Sequence, residues 1–366
     1  MSVIKEVLLL SLLPDEICDY KRIYLLCSKM TESEWIKMLL ESGEAAFLLS
    51  KFERLGIEIS KSVTKNGMDK LYRQQSLVRV YKRMQEIDIE QITDIFDSQG
   101  IDYLMYKGIA MEKNLYGNYV DRHIGDIDIL VRPMQIAKAA ELAVGAGYNS
   151  HIAVEKEGSF VYEQIPVEKA LDLLVKTKHV ALSKRFELEL HVSLDAYHVE
   201  SIDDAFFDYL NNQKAVVCIG KKELSTLDIS NTFIYACLHY YNHWTMQHHI
   251  KGHFCVQFRY LYEVFEAAYQ IDKNALWDEV YSRVRDTSMY WRIGIVLLHM
   301  YELTYWNSNV GSELFVTEFV KEHKDDLIAD KAVFSEKWRI PIQHRIFKYD
   351  YNNDVIKKKT CVIAPL

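Results

Sequence analysis

The chain has 366 residues, of which 49% are hydrophobic, and its formal net charge is -8. This length and composition fit two or three domains with real hydrophobic cores, while the negative charge argues against a general nucleic-acid coat, because phosphate binding needs a basic surface. No apolar run reaches the roughly 18 residues of a membrane span, and the six cysteines are scattered without a CxxC pair, so we predict a cytoplasmic protein with no membrane partner.

Residues 1–87 are predicted to form an N-terminal helical region. In the segment "TESEWIKMLLES", Thr31 and Glu34 have the spacing of a capping box, and Trp35 and Met38 then share a helix face. The chain contains only 5 prolines and 14 glycines, which is consistent with long helices.

Residues 88–225 combine strands with helices and are predicted to be the core domain. A short β-rich run ends at Lys107 and Gly108 and leads into the helix "IAMEKNLYG". The strand "DIDILV" precedes a helix that Pro133 opens, and "KHVALSKRFELELHVSL" has the pattern of two strands joined by a polar turn. Residues 226–366 are predicted to be a C-terminal helical domain that ends in a solvated tail around "VIKKKT".

Two aspartates stand in the strand "DIDILV", which otherwise has the composition of a buried strand. Asp126 and Asp128 lie on one face, roughly 7 Å apart, because side chains two residues apart in a strand point to the same side. Two buried carboxylates repel each other unless a cation lies between them. Mg²⁺ prefers such oxygen ligands, so the pair is a candidate metal site, although an isolated acid-x-acid pair is more often only solvated.

A second strand, "FELELHVSL", repeats this pattern. Glu187, Glu189 and His191 share one face, and apolar residues occupy the other. If the two strands are neighbours, either glutamate can complete a three-carboxylate cluster of the kind that holds two metal ions for phosphoryl or nucleotidyl transfer. The pattern leaves open which glutamate does so. It also leaves open whether His191 contacts phosphate, steers the acid or hydrogen-bonds within the sheet.

A strand-to-helix turn and an arginine are candidate phosphate contacts. At Lys107 and Gly108 the glycine lets a phosphate approach the backbone and the helix N-terminus, and the lysine supplies a positive charge. Arg122 lies four residues before Asp126 and can reach a phosphate. The alternative interpretation is that Arg122 is a surface residue near Asp121.

His239 and His243 share a face of a predicted helix at a spacing that can bind zinc. Tyr240 stands where the HExxH motif has its glutamate. Hydrogen-bonded histidines packed in an aromatic-rich helix are therefore the preferred interpretation.

Three segments together carry a resemblance to a known family. The succession "IDYLMYKGIAMEKNLYG", "RHIGDIDILVRP" and "LELHVSL" resembles the uncharacterised nucleotidyltransferases of the polymerase-β-like superfamily, over roughly residues 85–280. The resemblance implies an α+β fold, in which a small mixed sheet is backed by helices and flanked by N- and C-terminal helical regions. It also implies a nucleoside triphosphate as substrate, ATP first, and Mg²⁺ or Mn²⁺ as cofactor.

By position, the resemblance implies that Asp126 and Asp128 are the first two metal ligands and that Glu189 is the third. Lys107 and Gly108 match the triphosphate turn.

The sequence departs from the family pattern in two places. Ile109 follows Gly108, where the family has a small or hydroxyl-bearing residue, so triphosphate contact rests on backbone N–H groups and the neighbouring lysine. Glu263 stands where the family usually has Asp. The resemblance further implies that the helix with His239 and His243 lines the acceptor side of the cleft.

The predicted function is a metal-dependent nucleotidyltransferase that moves a nucleoside monophosphate to an acceptor. The acceptor can be a small molecule, a protein or an RNA, and the sequence predicts neither its identity nor the oligomeric state. Two alternatives stay open. One is a metal-dependent glycosyltransferase that uses the acid-x-acid strand, and the other is a nucleotide-binding or partner-binding module with the same fold and no catalysis.

Overall fold

The computed structural model describes residues 2–41, 44–117, 120–122, 125–156, 159–174, 179–194, 204–245, 250, 258–329, 333–347 and 354–363. Contacts divide the chain into two compact units. One comprises Met1–Gln75 together with Phe233–Leu366, and the other comprises Ser76–Thr232. The domain boundaries near 88 and 225 stay a prediction.

Helices dominate the chain, as its low proline and glycine content predicts. The described helices are α1 (Val3–Leu10), α2 (Tyr20–Cys27), α3 (Glu32–Glu41), α4 (Ala45–Arg54), α5 (Lys65–Ser98), α6 (Gly108–Tyr116), α7 (Ile136–Gly145), α8 (Val167–Asp172), α9 (Asp204–Asn212), α10 (Ile229–Thr245), α11 (Phe258–Lys273), α12 (Trp277–Val284), α13 (Met289–Thr304), α14 (Asn309–Phe315), α15 (Glu318–His323) and α16 (Ile342–Arg345). None of the described helices is both long and apolar enough to cross a membrane.

The described strands fall into two sheets. They are β1 (Tyr103–Met105), β2 (Asp126–Val131), β3 (Asn149–Lys156), β4 (Ser159–Gln164), β5 (His179–Ser183), β6 (Glu187–His191), β7 (Ala215–Ile219), β8 (Lys222–Thr226), β9 (Asp326–Ala329), β10 (Val333–Trp338) and β11 (Val355–Ile363).

The unit of residues 76–232 is built on a mixed sheet with the order β4-β3-β5-β6-β2-β1-β8-β7. Neighbouring strands are antiparallel except for two parallel pairs, β2 with β6 and β1 with β8. The predicted combination of a mixed sheet with flanking helices is confirmed. The sheet is larger than the small one expected, because the hairpins β3–β4 and β7–β8 extend it at both edges.

One face of this sheet packs against helices to form the core. In β2, the apolar residues Ile127, Ile129 and Val131 are buried in a cluster that includes residues of α5 and α7. The two aspartates of β2 alternate with these residues and therefore point to the opposite face.

Helix α3 begins as the sequence predicts. The backbone N–H of Thr31 donates to Glu34 Oε2 at 2.9 Å, and the backbone N–H of Glu34 donates back to Thr31 Oγ1 at 3.3 Å. Trp35 and Met38 are buried on the inner face of α3. The capping box and the helix spacing are thus both present in the fold.

The C-terminal region contains a three-stranded antiparallel sheet, β11-β10-β9, that the sequence analysis did not predict. The segment "VIKKKT" lies in β11, so its prediction as a solvated tail is wrong. Its lysines include Lys358, whose Nζ lies 2.6 Å from Oδ2 of the buried Asp326. Asp326, which is distant in sequence, therefore contacts a segment whose lysine-rich composition suggests exposure to solvent.

Candidate active site

The acid cluster consists of Asp126, Asp128 and Glu189. Strands β2 and β6 are parallel neighbours, and their register sets Asp128 opposite Glu189. Because alternate side chains point to one face in both strands, the three carboxylates converge, and one oxygen from each lies within 4.8 Å of the others. The structure thus brings together the three carboxylates that the sequence nominates.

Lys107 and His191 both contact this cluster. Lys107 Nζ lies 2.7 Å from Asp128 Oδ1 and 3.8 Å from Glu189 Oε2. His191 Nε2 lies 2.9 Å from the same Asp128 oxygen and 3.0 Å from Glu189 Oε2. These contacts explain how the strand tolerates its acids, because a positive charge and hydrogen bonds offset the repulsion between carboxylates.

The buried oxygen Oδ2 of Asp128 indicates a cation site. Asp128 is only 2% exposed, and Oδ2 has no hydrogen-bond partner among the residues that the structure describes. An unsatisfied buried carboxylate oxygen is energetically costly. Three converging carboxylates supply only oxygen donors, the ligand type that Mg²⁺ and Mn²⁺ prefer, so the residues fit such an ion and Oδ2 is an atom it would satisfy.

Glu189 is held in its ionised form. Burial by itself would raise its pKa, but the hydrogen bond with His191 and the positive charge of Lys107 outweigh burial and hold the pKa of Glu189 well below its ordinary range. The carboxylate is therefore charged at neutral pH before any cation binds. A carboxylate of low pKa serves better as a ligand than as a proton acceptor.

The turn between β1 and α6 lies directly beside the acids. Lys107 is the N-cap of α6, and Gly108, the first helical residue, has a φ of +52°. Glycine adopts this left-handed conformation without the steric cost of a Cβ. The turn therefore directs the Lys107 side chain to Asp128 and sets a helix N-terminus, which favours anions, next to a cluster that favours cations.

Glu187 lies apart from the converging oxygens. Its Oε1 is 3.0 Å from His151 Nε2 on β3, and it is not part of the metal-compatible groups found among the described residues. The structure therefore favours Glu189 as the third carboxylate in position, while the role of either residue stays a prediction.

Arg122 is buried rather than at the surface, so the surface alternative is wrong. Its charge acts on Glu112, whose Oε1 and Oε2 each lie 2.6 Å from Lys82 Nζ. Burial raises the pKa of Glu112, and the charges of Lys82 and then Arg122 act in the opposite direction. Arg122 thus belongs to the surroundings of a buried ion pair, and its contact with phosphate stays a prediction.

His239 and His243 lie in the other unit. Their Nε2 atoms are 3.2 Å apart, and each ring centroid is 4.4 Å from that of Tyr260. In the described part of the chain, no third ligand completes a metal group around them. This geometry agrees with the packed, hydrogen-bonded interpretation, and the acceptor-side role stays a prediction.

His179 also lies beside the acid cluster, although it was not among the residues predicted from the sequence. Strand β5 is antiparallel to β6 and sets His179 directly opposite His191, with His179 Nε2 4.0 Å from Glu189 Oε1. The signal was present, because pairing the two predicted strands across their polar turn places the two histidines opposite each other.

Comparisons with known proteins point to nucleotidyltransferases. A profile of the family described as "uncharacterised nucleotidyltransferase" matches residues 42–304, and a search of curated proteins found no match. Among solved structures, the chain is similar to the antibiotic-resistance factor ANT(2'')-Ia, with 13% identity, coverage of 55% of this chain and 99% of that chain, and a TM-score of 0.30. It is also similar to an antigenic nucleotidyltransferase-like protein from Paracoccidioides brasiliensis, with 10% identity, coverage of 57% and 92%, and a TM-score of 0.23.

At these TM-scores the two solved structures do not inform the position of any site residue. The family profile, by contrast, spans most of the chain, including the Lys107 turn and all three carboxylates of the acid cluster. The chain belongs to the family of uncharacterised nucleotidyltransferases.

Proposed function

We propose that the chain transfers a nucleoside monophosphate from a nucleoside triphosphate, with ATP the first candidate, to an acceptor at the cluster of Asp126, Asp128 and Glu189. The observation that carries the proposal is the convergence of three carboxylates beside a lysine at a helix N-terminus. One of the three, Asp128, also has a buried oxygen without a hydrogen-bond partner among the described residues. One place on the protein thus offers carboxylates for a cation and a lysine with a helix N-terminus for phosphate.

In the reaction, a nucleophilic atom of the acceptor forms a bond to the α-phosphorus. The bond between that phosphorus and the oxygen bridging to the β-phosphate breaks, pyrophosphate leaves with the electron pair of that bond, and the acceptor's proton passes to solvent water. Bound Mg²⁺ or Mn²⁺ would supply Lewis-acid activation of the acceptor and neutralise charge on the leaving group. Asp126, Asp128 and Glu189 are the residues that would hold it.

Lys107 and Gly108 act on the triphosphate in this proposal. The Lys107 ammonium, which pairs with Asp128 without ligand, offers a positive charge to phosphate oxygens once a cation neutralises that aspartate. The backbone at Gly108 admits a close approach of phosphate because no side chain stands there. The contribution of these residues is positioning and charge, as in other phosphoryl transfers.

His191 is proposed to position the carboxylates. Its Nε2 contacts oxygens of both Asp128 and Glu189, so it fixes the distance between two of the three ligands. Carboxylate ligands that are held by hydrogen bonds in this way need less reorganisation when a cation binds.

The test is transfer of label from α-labelled nucleoside triphosphates, with Mg²⁺ or Mn²⁺, to fractionated small molecules, proteins and RNA. We expect label transfer and pyrophosphate release from the wild type. Asp128→Asn and Glu189→Gln should lose about three orders of magnitude in rate, which corresponds to about 4 kcal/mol of transition-state stabilisation. Glu187→Gln is the matched control and should keep most of the activity, since Glu187 contacts His151 instead.

Two results would contradict the proposal. Wild-type rates in both Asp128→Asn and Glu189→Gln would remove the cluster from the chemistry. Nucleotide binding without label transfer to any fraction would favour the non-catalytic module. Membership in a nucleotidyltransferase family argues against the glycosyltransferase alternative, and a nucleotide sugar in the same assay provides its direct test.

A further inference from the structure

A second group of potential ligands adjoins the acid cluster and has a different chemistry. It consists of His179, Glu189 and His191, and one ligand atom from each lies within 4.8 Å of the others. The antiparallel register of β5 and β6 sets the two histidines directly opposite each other. Glu189 precedes His191 by two residues and so shares its face of the sheet.

We propose that these three residues form a binding site for a transition-metal ion of the Zn²⁺ or Co²⁺ type, distinct in chemistry from the oxygen-only cluster and sharing Glu189 with it. A cross-strand pair of histidines is held by the backbone of two strands rather than by a loop, so both imidazoles are positioned before an ion arrives. The ring centroids of His179 and His191 are 5.3 Å apart.

The distances suit a small four-coordinate ion after modest movement. Ligand atoms bound about 2.1 Å from a tetrahedral ion lie about 3.4 Å from one another. Here His191 Nε2 lies 3.0 Å from Glu189 Oε2, and His179 Nε2 lies 4.0 Å from Glu189 Oε1. These distances, which involve the two different oxygens of Glu189, lie on either side of the required spacing, and one ligand atom from each of the three residues lies within 4.8 Å of the others. His179 is partly exposed, which leaves room for a water molecule as a fourth ligand.

The donor atoms set the selectivity. Two imidazole nitrogens and one carboxylate are a common ligand set for zinc and are poorly suited to Mg²⁺, which prefers oxygen. Affinity for such sites rises from Mn²⁺ through Co²⁺ to the later transition metals. An excess of Mg²⁺ should therefore not displace Co²⁺ or Zn²⁺ from the two histidines.

Sharing Glu189 links this site to the acid cluster. A carboxylate directed to a transition-metal ion is less available to a cation held by Asp126 and Asp128, so occupancy should slow the transferase reaction. This consequence rests on the proposed function, whereas the binding itself does not. Binding is therefore measured without nucleotide, and a failure of either proposal can be recognised separately.

The experiment titrates Co²⁺ into the full-length chain in excess Mg²⁺ and follows the visible absorption of the ion. We expect one Co²⁺ to bind with the intense bands of a low-coordinate site. His179→Gln should weaken this binding at least about tenfold to a hundredfold. Loss of a residue that only hydrogen-bonds to a metal ligand already costs this much, and His179 is proposed to bind the ion directly. The matched control is His151→Gln, because His151 stands on the neighbouring strand and contacts Glu187 instead.

Equal Co²⁺ affinity in His179→Gln and wild type would overturn the assignment, as would displacement of Co²⁺ by Mg²⁺. If His179→Gln does not fold by circular dichroism, imidazole proton resonances of wild type decide. Paramagnetic shifts of two histidines on Co²⁺ addition support the site. If no histidine resonance shifts, the site is excluded. In the transferase assay, low Zn²⁺ should inhibit wild type and His151→Gln more than His179→Gln, and equal inhibition of all three would refute the link through Glu189.

Discussion

At the scale of single residues, the charge balance around Asp128 explains an unusual position. A carboxylate that is 2% exposed requires compensation, because burial disfavours the ionised form. Lys107 and His191 provide it through the same oxygen, Oδ1, whereas Oδ2 has no hydrogen-bond partner in the part of the chain that the structure describes. The contacts with Lys107 and His191 thus offset the burial of the Asp128 carboxylate, and its second oxygen is available to a cation.

Gly108 is a residue whose backbone, rather than its contacts, predicts the effect of substitution. Its φ of +52° is in the left-handed region, where a Cβ costs about 1–2 kcal/mol. We therefore expect Gly108→Ala to reduce the free energy of unfolding by about 1–2 kcal/mol, measured by urea denaturation.

Gly145→Ala is the matched control for Gly108→Ala. Gly145 is the last residue of α7, and a Cβ built there meets no atom within 4 Å. Alanine at this position should leave stability unchanged or raise it by up to about 1 kcal/mol, because alanine favours helix more than glycine does. Equal losses in the two variants would contradict the argument from φ.

At the scale of elements, alternation along two strands was enough to nominate the site. The apolar positions of "DIDILV" and "ELELH" predict one buried face, and the acids of both strands then share the other. What the pattern could not supply was the register between strands distant in sequence. Glu187 and Glu189 satisfy the same alternation, and the parallel register sets each opposite an aspartate of β2. The convergence of Glu189 with both aspartates and the contact of Glu187 with His151 separate them in the structure.

The buried ion pair of Lys82 and Glu112 joins α5 to α6. Both Glu112 oxygens lie 2.6 Å from Lys82 Nζ, and Glu112 Oε1 also accepts from the backbone N–H of Val120, just before β2. Removing one partner of such a pair leaves an uncompensated buried charge. We expect Glu112→Gln to lower the free energy of unfolding by about 3–5 kcal/mol, measured by chemical denaturation.

The double variant Lys82→Met/Glu112→Leu tests the same argument. Removing both charges of the pair leaves neither partner without its counter-ion, so the double variant should cost less than Glu112→Gln even though two residues change. The surface pair of Lys321 and Glu318, whose side chains are 54% and 90% exposed, is the control. Its disruption should cost no more than about 1 kcal/mol. A double variant less stable than the single one would show that packing rather than charge dominates here.

At the scale of the whole molecule, the sequence and the resemblance predicted an α+β fold with a mixed sheet and flanking helices, but not how distant segments group. The first 75 residues and the last 134 form one unit, since that unit is Met1–Gln75 with Phe233–Leu366. The strand β11 illustrates why the sequence pattern did not predict this grouping. Its lysine-rich sequence has the composition of a solvated segment, and only pairing with β10 and the contact of Lys358 with Asp326 make it a strand.

The stability of this larger unit should depend on pH through Glu266, in α11. Burial raises its pKa from the ordinary value of 4.5 to about 7, so the folded state favours the neutral acid. The stabilisation is complete below pH 4.5, where folded and unfolded chains are both protonated. It is lost as the pH rises to 7, because the unfolded chain then ionises first. A shift of this size corresponds to about 3 kcal/mol.

Glu266→Gln removes the ionisation and keeps the shape, so it isolates this contribution. We expect its free energy of unfolding, relative to wild type, to increase by about 3 kcal/mol between about pH 4 and about pH 8, because only the wild type loses stability through this group over that range. Glu318→Gln, at an exposed position, is the matched control and should show no such trend. Parallel pH profiles for wild type and Glu266→Gln would mean that Glu266 ionises in the folded chain as readily as in the unfolded one, through water or the nearby charge of Lys51.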